Sequence, residues 1–331
     1  MVAETVRQQL TPQQRQQREE TVIQAYTGWL DDGNMSDSEA GSIVTELTVL
    51  LLTHHCFLEA AQLLIRCGWL SFKLGYGPRL ASLAQKMLRC VDWHQTIEDE
   101  CAGLVLVQIL FPFLGKPVET RKYINYQRIH DGFLAGEIVL QDATEGYVMH
   151  LLLLDVMDDV RFEDAQAILD IYRSRLESRR GTRLVPHSSL LQKQALLLGR
   201  WCEYVEEQGD AQKARVLREQ AIALYRQRVT LLSSQKGRSP LKRGLRNRGL
   251  ASCLSYLGYH LARIGQYEEA LQVIERAIDL QERGYAYVGV LAASYSDKSQ
   301  ILIELGRFQE AMLFDEKAFA EIQRCVNAGD G

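Results

Sequence analysis

Proline is scarce in this chain. The 331 residues hold six, at positions 12, 78, 112, 117, 186 and 240. Most stand where a helical pattern begins or breaks, as in an almost wholly helical chain punctuated at its turns. The apolar–polar alternation of a half-buried strand is missing, which excludes a sheet fold. Also missing is an apolar run long enough to span a bilayer: the longest, Gly103 to Leu114, contains Gln108 and Pro112, so no membrane partner is expected. The first twenty residues, polar and rich in Gln, lack the charged-then-apolar order of a secretory leader, so the expected location is the cytoplasm. There is no phosphate-binding glycine loop, dinucleotide fingerprint, G-x-S-x-G elbow or H-E-x-x-H pair. No catalytic residue is therefore named, no cofactor is expected, and the chain reads as a non-enzyme.

Cysteine is present in an odd number, seven, at positions 56, 67, 90, 101, 202, 253 and 325. All lie in apolar helical contexts and read as reduced core residues. His54, His55 and Cys56 with Cys67 contain no ligand pair of recognised spacing, so no metal is expected. Asp155, Asp158 and Asp159 beside His150 read as acids at a helix end before a turn rather than as a hydrolytic centre.

With 47% hydrophobic and 24% charged residues, the chain has ample surface to bury and reads as soluble and folded. Its organising stretch is Ala251 to Gly284. Leu254, Leu257, Gly258 and Leu261 share one helical stripe, a Gly265-Gln266-Tyr267 turn follows, and Ala270, Ile274 and Ala277 form a second. Small residues where two axes approach and large ones between them are what packed antiparallel helices require. The turn phrase recurs as Arg161-Phe162-Glu163-Asp164-Ala165, as Gly209-Asp210-Ala211-Gln212-Lys213-Ala214 and as Gly306-Arg307-Phe308-Gln309-Glu310-Ala311.

The 251–284 segment resembles the tetratricopeptide repeat (TPR) of 34 residues, with Leu254 in place of the usual Trp, Leu261 of Tyr and Glu282 of the closing Pro. The resemblance implies an all-α, right-handed solenoid of stacked antiparallel helix pairs. Residues 146–331 would hold the TPR repeats and residues 1–145 degenerate helical hairpins, in one continuous stack. The longer spacing between copies is similar to that in sensor regions of STAND-type signalling ATPases, including MalT-like regulators, and in kinesin light chains.

In the N-terminal part, Thr11-Pro12 reads as a helix start running to about Leu30, and Ser36 or Ser38 starts a helix carrying Ile43, Val44, Leu47 and Leu51. A partner helix brings Ala60, Ala61, Leu64 and Cys67. Gly75-Tyr76-Gly77-Pro78 stops and restarts the pattern. The helix from Ile97 to about Leu114 is apolar nearly all round and belongs in the middle of the stack.

A solenoid offers one long concave face. The TPR resemblance implies that this face is read by Ser252, Ser255, Tyr256, Tyr259, Ala262 and Arg263, by Leu196, Gly199, Arg200, Glu203, Glu206 and Glu207 one repeat earlier, and by Ala293, Ser296, Asp297, Gln300, Ile303 and Glu304 one later. Charge narrows the choice. The chain is −4 overall, yet no Asp or Glu occurs between Gln220 and Tyr267, where nine cations stand, among them Arg226, Arg228, Lys236, Lys242, Arg246, Arg248 and Arg263. Helical spacing puts Arg248, Ser255, Tyr259 and Arg263 on one face, with Arg200 from the preceding repeat. Arg200, Arg248, Ser255, Tyr259, Arg263, Ser296 and Gln300 are the expected contacts for a ligand, an acidic or phosphorylated one suiting the arginines.

The expected function is a signalling or regulatory scaffold that recognises a peptide, protein partner or small ligand on its concave face, either alone or as the sensor part of a larger system. The alternative is a nucleic-acid or phosphate-binding regulator using residues 226–248.

Overall fold

The computed structural model describes residues 21, 24–26, 28, 35–90, 93, 96–110, 124–138, 140, 142–178, 185–235, 240–285 and 290–327. Helices α1 (Asp37–Thr53) and α2 (Phe57–Lys73) form the first hairpin, followed by α3 (Gly77–Cys90), α4 (Ile97–Leu110) and α5 (Tyr126–Ala135). Four antiparallel pairs follow: α6 (Asp142–Asp158) with α7 (Phe162–Ser178), α8 (Val185–Glu207) with α9 (Ala211–Ser234), α10 (Pro240–Arg263) with α11 (Tyr267–Glu282), and α12 (Val290–Glu304) with α13 (Phe308–Asn327). Each pair packs on the next, and no strand occurs among the described residues. The protein is an all-α, TPR-like solenoid.

Local chemistry starts these helices. Ser36 caps α1 in a reciprocal box, its Oγ accepting from the Glu39 amide at 3.3 Å while the Glu39 carboxylate accepts from the Ser36 amide at 2.9 Å. Asn125 and Asp210 cap α5 and α9 in the simpler way. The proposed helix from Thr11 to Leu30 lies almost wholly outside the described residues, as do Pro112, Pro117 and Tyr123. Helix α4 is buried on every side over Glu100 to Val107.

The recurring turn phrase is one recurring turn. Gly209, Gly265 and Gly306 take φ of +86°, +78° and +74°, and Val160 stands in the same place at +62°. At each, two amides turn back onto the preceding helix: Gly265 N–H donates to Ala262 O at 3.0 Å and Gln266 N–H to Leu261 O at 3.0 Å, with Val160 and Arg161 doing the same to Met157 and Val156. Gly258 marks a close approach of α10 and α11. A Cβ there would lie 3.3 Å from Ile274 Cβ and 3.4 Å from Ala270 O, and Ala270 and Ala277 are wholly buried.

One apolar core runs from Ala40 to Leu197 and a second takes over from Ala195 to Ala318, so the handover falls inside α8. Two buried carboxylates brace the less regular N-terminal part. Glu100 pairs with Arg128 at 3.1 Å, and Glu145 with Arg175 at 2.9 Å, whose guanidinium also lies over the Phe133 ring. Cys56, Cys67, Cys101, Cys202 and Cys253 are free thiols. Among the described residues no helix is long and apolar enough to cross a membrane, and no three His, Cys, Asp or Glu gather as metal ligands would. The stack also curls far enough for α10 to touch α2.

Candidate ligand-binding cavity

That curl turns the concave face into a chamber. Helices α6, α8, α10 and α12, the first of each pair, present residues at three- and four-residue intervals to a single cavity of about 1560 Å³. Ile65 of α2 and Gln108 of α4 face it from the N-terminal part. Helix α9 reaches it from behind the first helices with Tyr225 and Arg228.

One part of the wall is basic and buried. Lys193 is 6% exposed and its ammonium donates to Ser189 Oγ at 2.8 Å. Arg228, 5% exposed, donates to Ser188 Oγ and to Gly249 O, both at 3.3 Å. Arg246 donates to Gln235 O at 2.9 Å and to Asn247 Oδ1, and Arg248 lines the same wall at 8% exposed. Burial, with the neighbouring Arg228, brings Lys193 down to about 7. Burial, then Lys193 and Arg228, brings His150 down to about 3, so its imidazole is neutral. On α12, burial alone raises Asp297 to about 6.

An aromatic column forms another part. Tyr225 stacks on Tyr256 at 5.7 Å and on His260 at 5.8 Å, and Tyr259 meets His260 edge-on at 5.1 Å. Burial, then Arg218 and Arg263, lowers His260 to about 4, while burial and then Glu203 raise Tyr259 to about 12. The Tyr225 hydroxyl and His260 Nδ1 are buried and bond no atom among the described residues. Missing Cβ atoms make room for this wall. A Cβ on Gly199 would lie 2.7 Å from His260 Nε2, and one on Gly249 3.2 Å from the Arg228 guanidinium.

Of the expected contacts, Arg200, Arg248, Ser255 and Tyr259 come together on the cavity wall. Arg263, Ser296 and Gln300 lie away from it. Arg263 is held by Glu206 at 2.8 Å, together with Arg218 at 2.7 Å, and these two arginines bring Glu206 down to about 2. Gln300 bonds Glu304 on its own helix. The Ser255 hydroxyl, though on the wall, is occupied by Gln281 at 2.8 Å and Ser294 at 3.1 Å. The run of cations is also less free than its sequence implies: Arg226 grips Glu269 through two bonds of 2.8 Å, and Arg228 and Arg248 are buried. Lys236, Arg238 and the Lys242 side chain lie outside the described residues, as do Arg179, Arg180 and Arg183.

Sequence reasoning missed Lys193 and His150, and reached Arg228 only as part of the basic run of the nucleic-acid or phosphate-binding alternative. A signal for the first existed, since four-residue steps back along α8 from Leu196 reach Gln192 and Ser188, with Lys193 and Ser189 beside them. Arg228 sits one turn after Tyr225, on a helix that the repeat assigns to the outer layer.

Lys193 and Ser189 stand at the separation of a base and its hydroxyl nucleophile. Ser189, however, is inside α8, where its own amide is committed to the helix ladder and so offers no oxyanion donor of its own. The wall can hold charge and stack rings.

The chain is similar to the crystal structure of BtubC (BKLC) from P. vanneervenii, at 16% sequence identity and a TM-score of 0.39, covering 77% of this chain and 91% of that one. No curated protein matches it. Residues 250–285 match the family model for the tetratricopeptide repeat, which supports a TPR-type repeat protein.

Proposed function

We propose that this chain is a non-enzymatic scaffold of signalling or regulation in the cytoplasm, the sensor part of a larger system, and that it takes its ligand inside the cavity. The ligand is a small molecule or a peptide segment of a partner protein. The observation that carries this reading is the convergence of α6, α8, α10 and α12 on one chamber of about 1560 Å³, within reach of the size of small-ligand sites and larger than most. TPR proteins in general bind through such concave faces. Duplex or single-stranded nucleic-acid binding needs a row of solvent-facing cations. Among the described residues of 226–248, Arg228 and Arg248 are buried, Arg226 is paired with Glu269 and Arg243 is exposed, which favours the cavity over the nucleic-acid alternative.

Filling the chamber tests the reading. Ser252→Trp and Ala293→Trp place a ring in the cavity, and each is checked for an unchanged melting temperature. Ligands from a random peptide library and a metabolite mixture are then compared by native mass spectrometry. Binders that the wild type retains and the filled variants lose support the proposal; binders indifferent to both substitutions refute it.

A further inference from the structure

Resting on the cavity as the binding site, we infer that its ligand is a small anion, a phosphate ester or a polycarboxylate, whose charge sits against Lys193, Arg228, Arg246 and Arg248. Four observations point there. Cavity residues carry five cations (Lys193, Arg200, Arg228, Arg246 and Arg248) against two carboxylates, Glu203 and Asp297. Arg200 is partly engaged outside, by Asp158 at 3.4 Å.

Second, Lys193 is 6% exposed, and among the described residues no carboxylate comes within ion-pair reach of it or of Arg246. The oxygens they bond, Ser189 Oγ, Gln235 O and Asn247 Oδ1, are neutral. A buried ammonium is costly unless an anion compensates it or it gives up its proton; burial leaves Lys193 only partly protonated near neutrality, and an anion beside it would restore its charge. Third, Gly249 and Gly199 are cut away where Arg228 and His260 press against the backbone, which places these polar groups at the wall. Fourth, the Tyr225 hydroxyl and His260 Nδ1 lie buried without a partner among the described residues. Beside the cations, these stacked rings suit the uncharged body of the same ligand. Arginine forks and a lysine point charge are together the donor set that oxyanions select.

The experiment is a thermal-shift and calorimetric titration of the full chain with pyrophosphate, with citrate and with glucose, each matched by sodium chloride of equal ionic strength. Pyrophosphate or citrate raises the melting temperature beyond the salt control and glucose does not; the two anions together decide between phosphate and carboxylate chemistry. Lys193→Met and Arg246→Gln each weaken the anion by about tenfold or more, as loss of a charged hydrogen-bond donor does. Arg226→Gln, whose partner is Glu269 outside the chamber, leaves it unchanged. If Lys193→Met fails to fold, Arg246→Gln alone decides. Anions no better than salt, or an affinity indifferent to Arg246→Gln, overturn the inference. A peptide displaced by Ser252→Trp in the same protein would then show that the chamber binds, but not through charge.

Discussion

His260 lies directly on the backbone of Gly199: a Cβ at position 199 would come within 2.7 Å of its Nε2 and 3.0 Å of its Cε1. The ring cannot swing away freely, since it also stacks on Tyr225 and meets Tyr259. Gly199→Ala is therefore expected to destabilise the chain by about 1–3 kcal/mol through overpacking. Urea denaturation measures it, and an unchanged midpoint would mean that α8 and α10 are farther apart than described.

Val160 offers the opposite case. It occupies the turn position that glycine holds at 209, 265 and 306, at φ +62°, where a β-branched side chain is strained. Its side chain is 46% exposed, so little packing is lost on its removal. Val160→Gly is expected to raise stability by about 0.5–1 kcal/mol, strain relief exceeding the added freedom of the unfolded chain. A fall in melting temperature would count against this.

Acid should weaken the fold through two cavity histidines, the buried His260 and the half-buried His150. His150 at about 3 and His260 at about 4 lie below the ordinary value of 6.5. Between those values and 6.5 the unfolded chain binds protons that the folded chain refuses, so stability rises with pH across the window and is lost as pH falls through it. Asp297, raised from 3.8 to about 6, acts in reverse over its own window and offsets about one of the two protons. Lys193, lowered from 10.5 to about 7, renews the rise above neutrality. Urea midpoints should climb between about pH 4 and 6.5 and again between about 7 and 8, before the thiols of Cys101, Cys202 and Cys253, raised by burial, reverse the slope at higher pH; a decline over either of the first two ranges contradicts the assignment.

Glu206 holds two arginines at once. Arg218, whose side chain is 5% exposed, and Arg263, 49% exposed, both donate to its Oε2. Glu206→Gln should cost about 1–3 kcal/mol, chiefly by leaving the buried Arg218 without its counter-charge. Arg263→Gln should cost much less, because an exposed member of such a pair contributes little, and it should leave ligand affinity intact. Loss of binding in Arg263→Gln would return that residue to the site.

The helical stack was legible because its signals are local. Gly258, Ala270 and Ala277 mark close approach, and the turn phrases mark each reversal. Within the chamber, Arg248, Ser255 and Tyr259 were legible as one face of one helix. Arg263 shares that face but meets Glu206, 57 residues away in sequence, which no periodicity reveals. Lys193, His150 and Arg228 belong to three different helices and acquire a common environment only when the stack curls. The N-terminal part, braced by Glu100–Arg128 and Glu145–Arg175 rather than by repeated small residues, offered only apolar periodicity.

The touch between α10 and α2 also bears on how this protein can change over generations. In an open array, where rungs meet only their neighbours, a hairpin gained or lost between two others alters length and little else. Here a hairpin inserted or deleted anywhere from α3 to α9 would rotate one rim past the other. The contact would part, and Ile65 and Gln108 would no longer face Lys193 and Arg228. Surface loops remain open to insertion, but the number of hairpins between these two helices is constrained by the contact they make with each other.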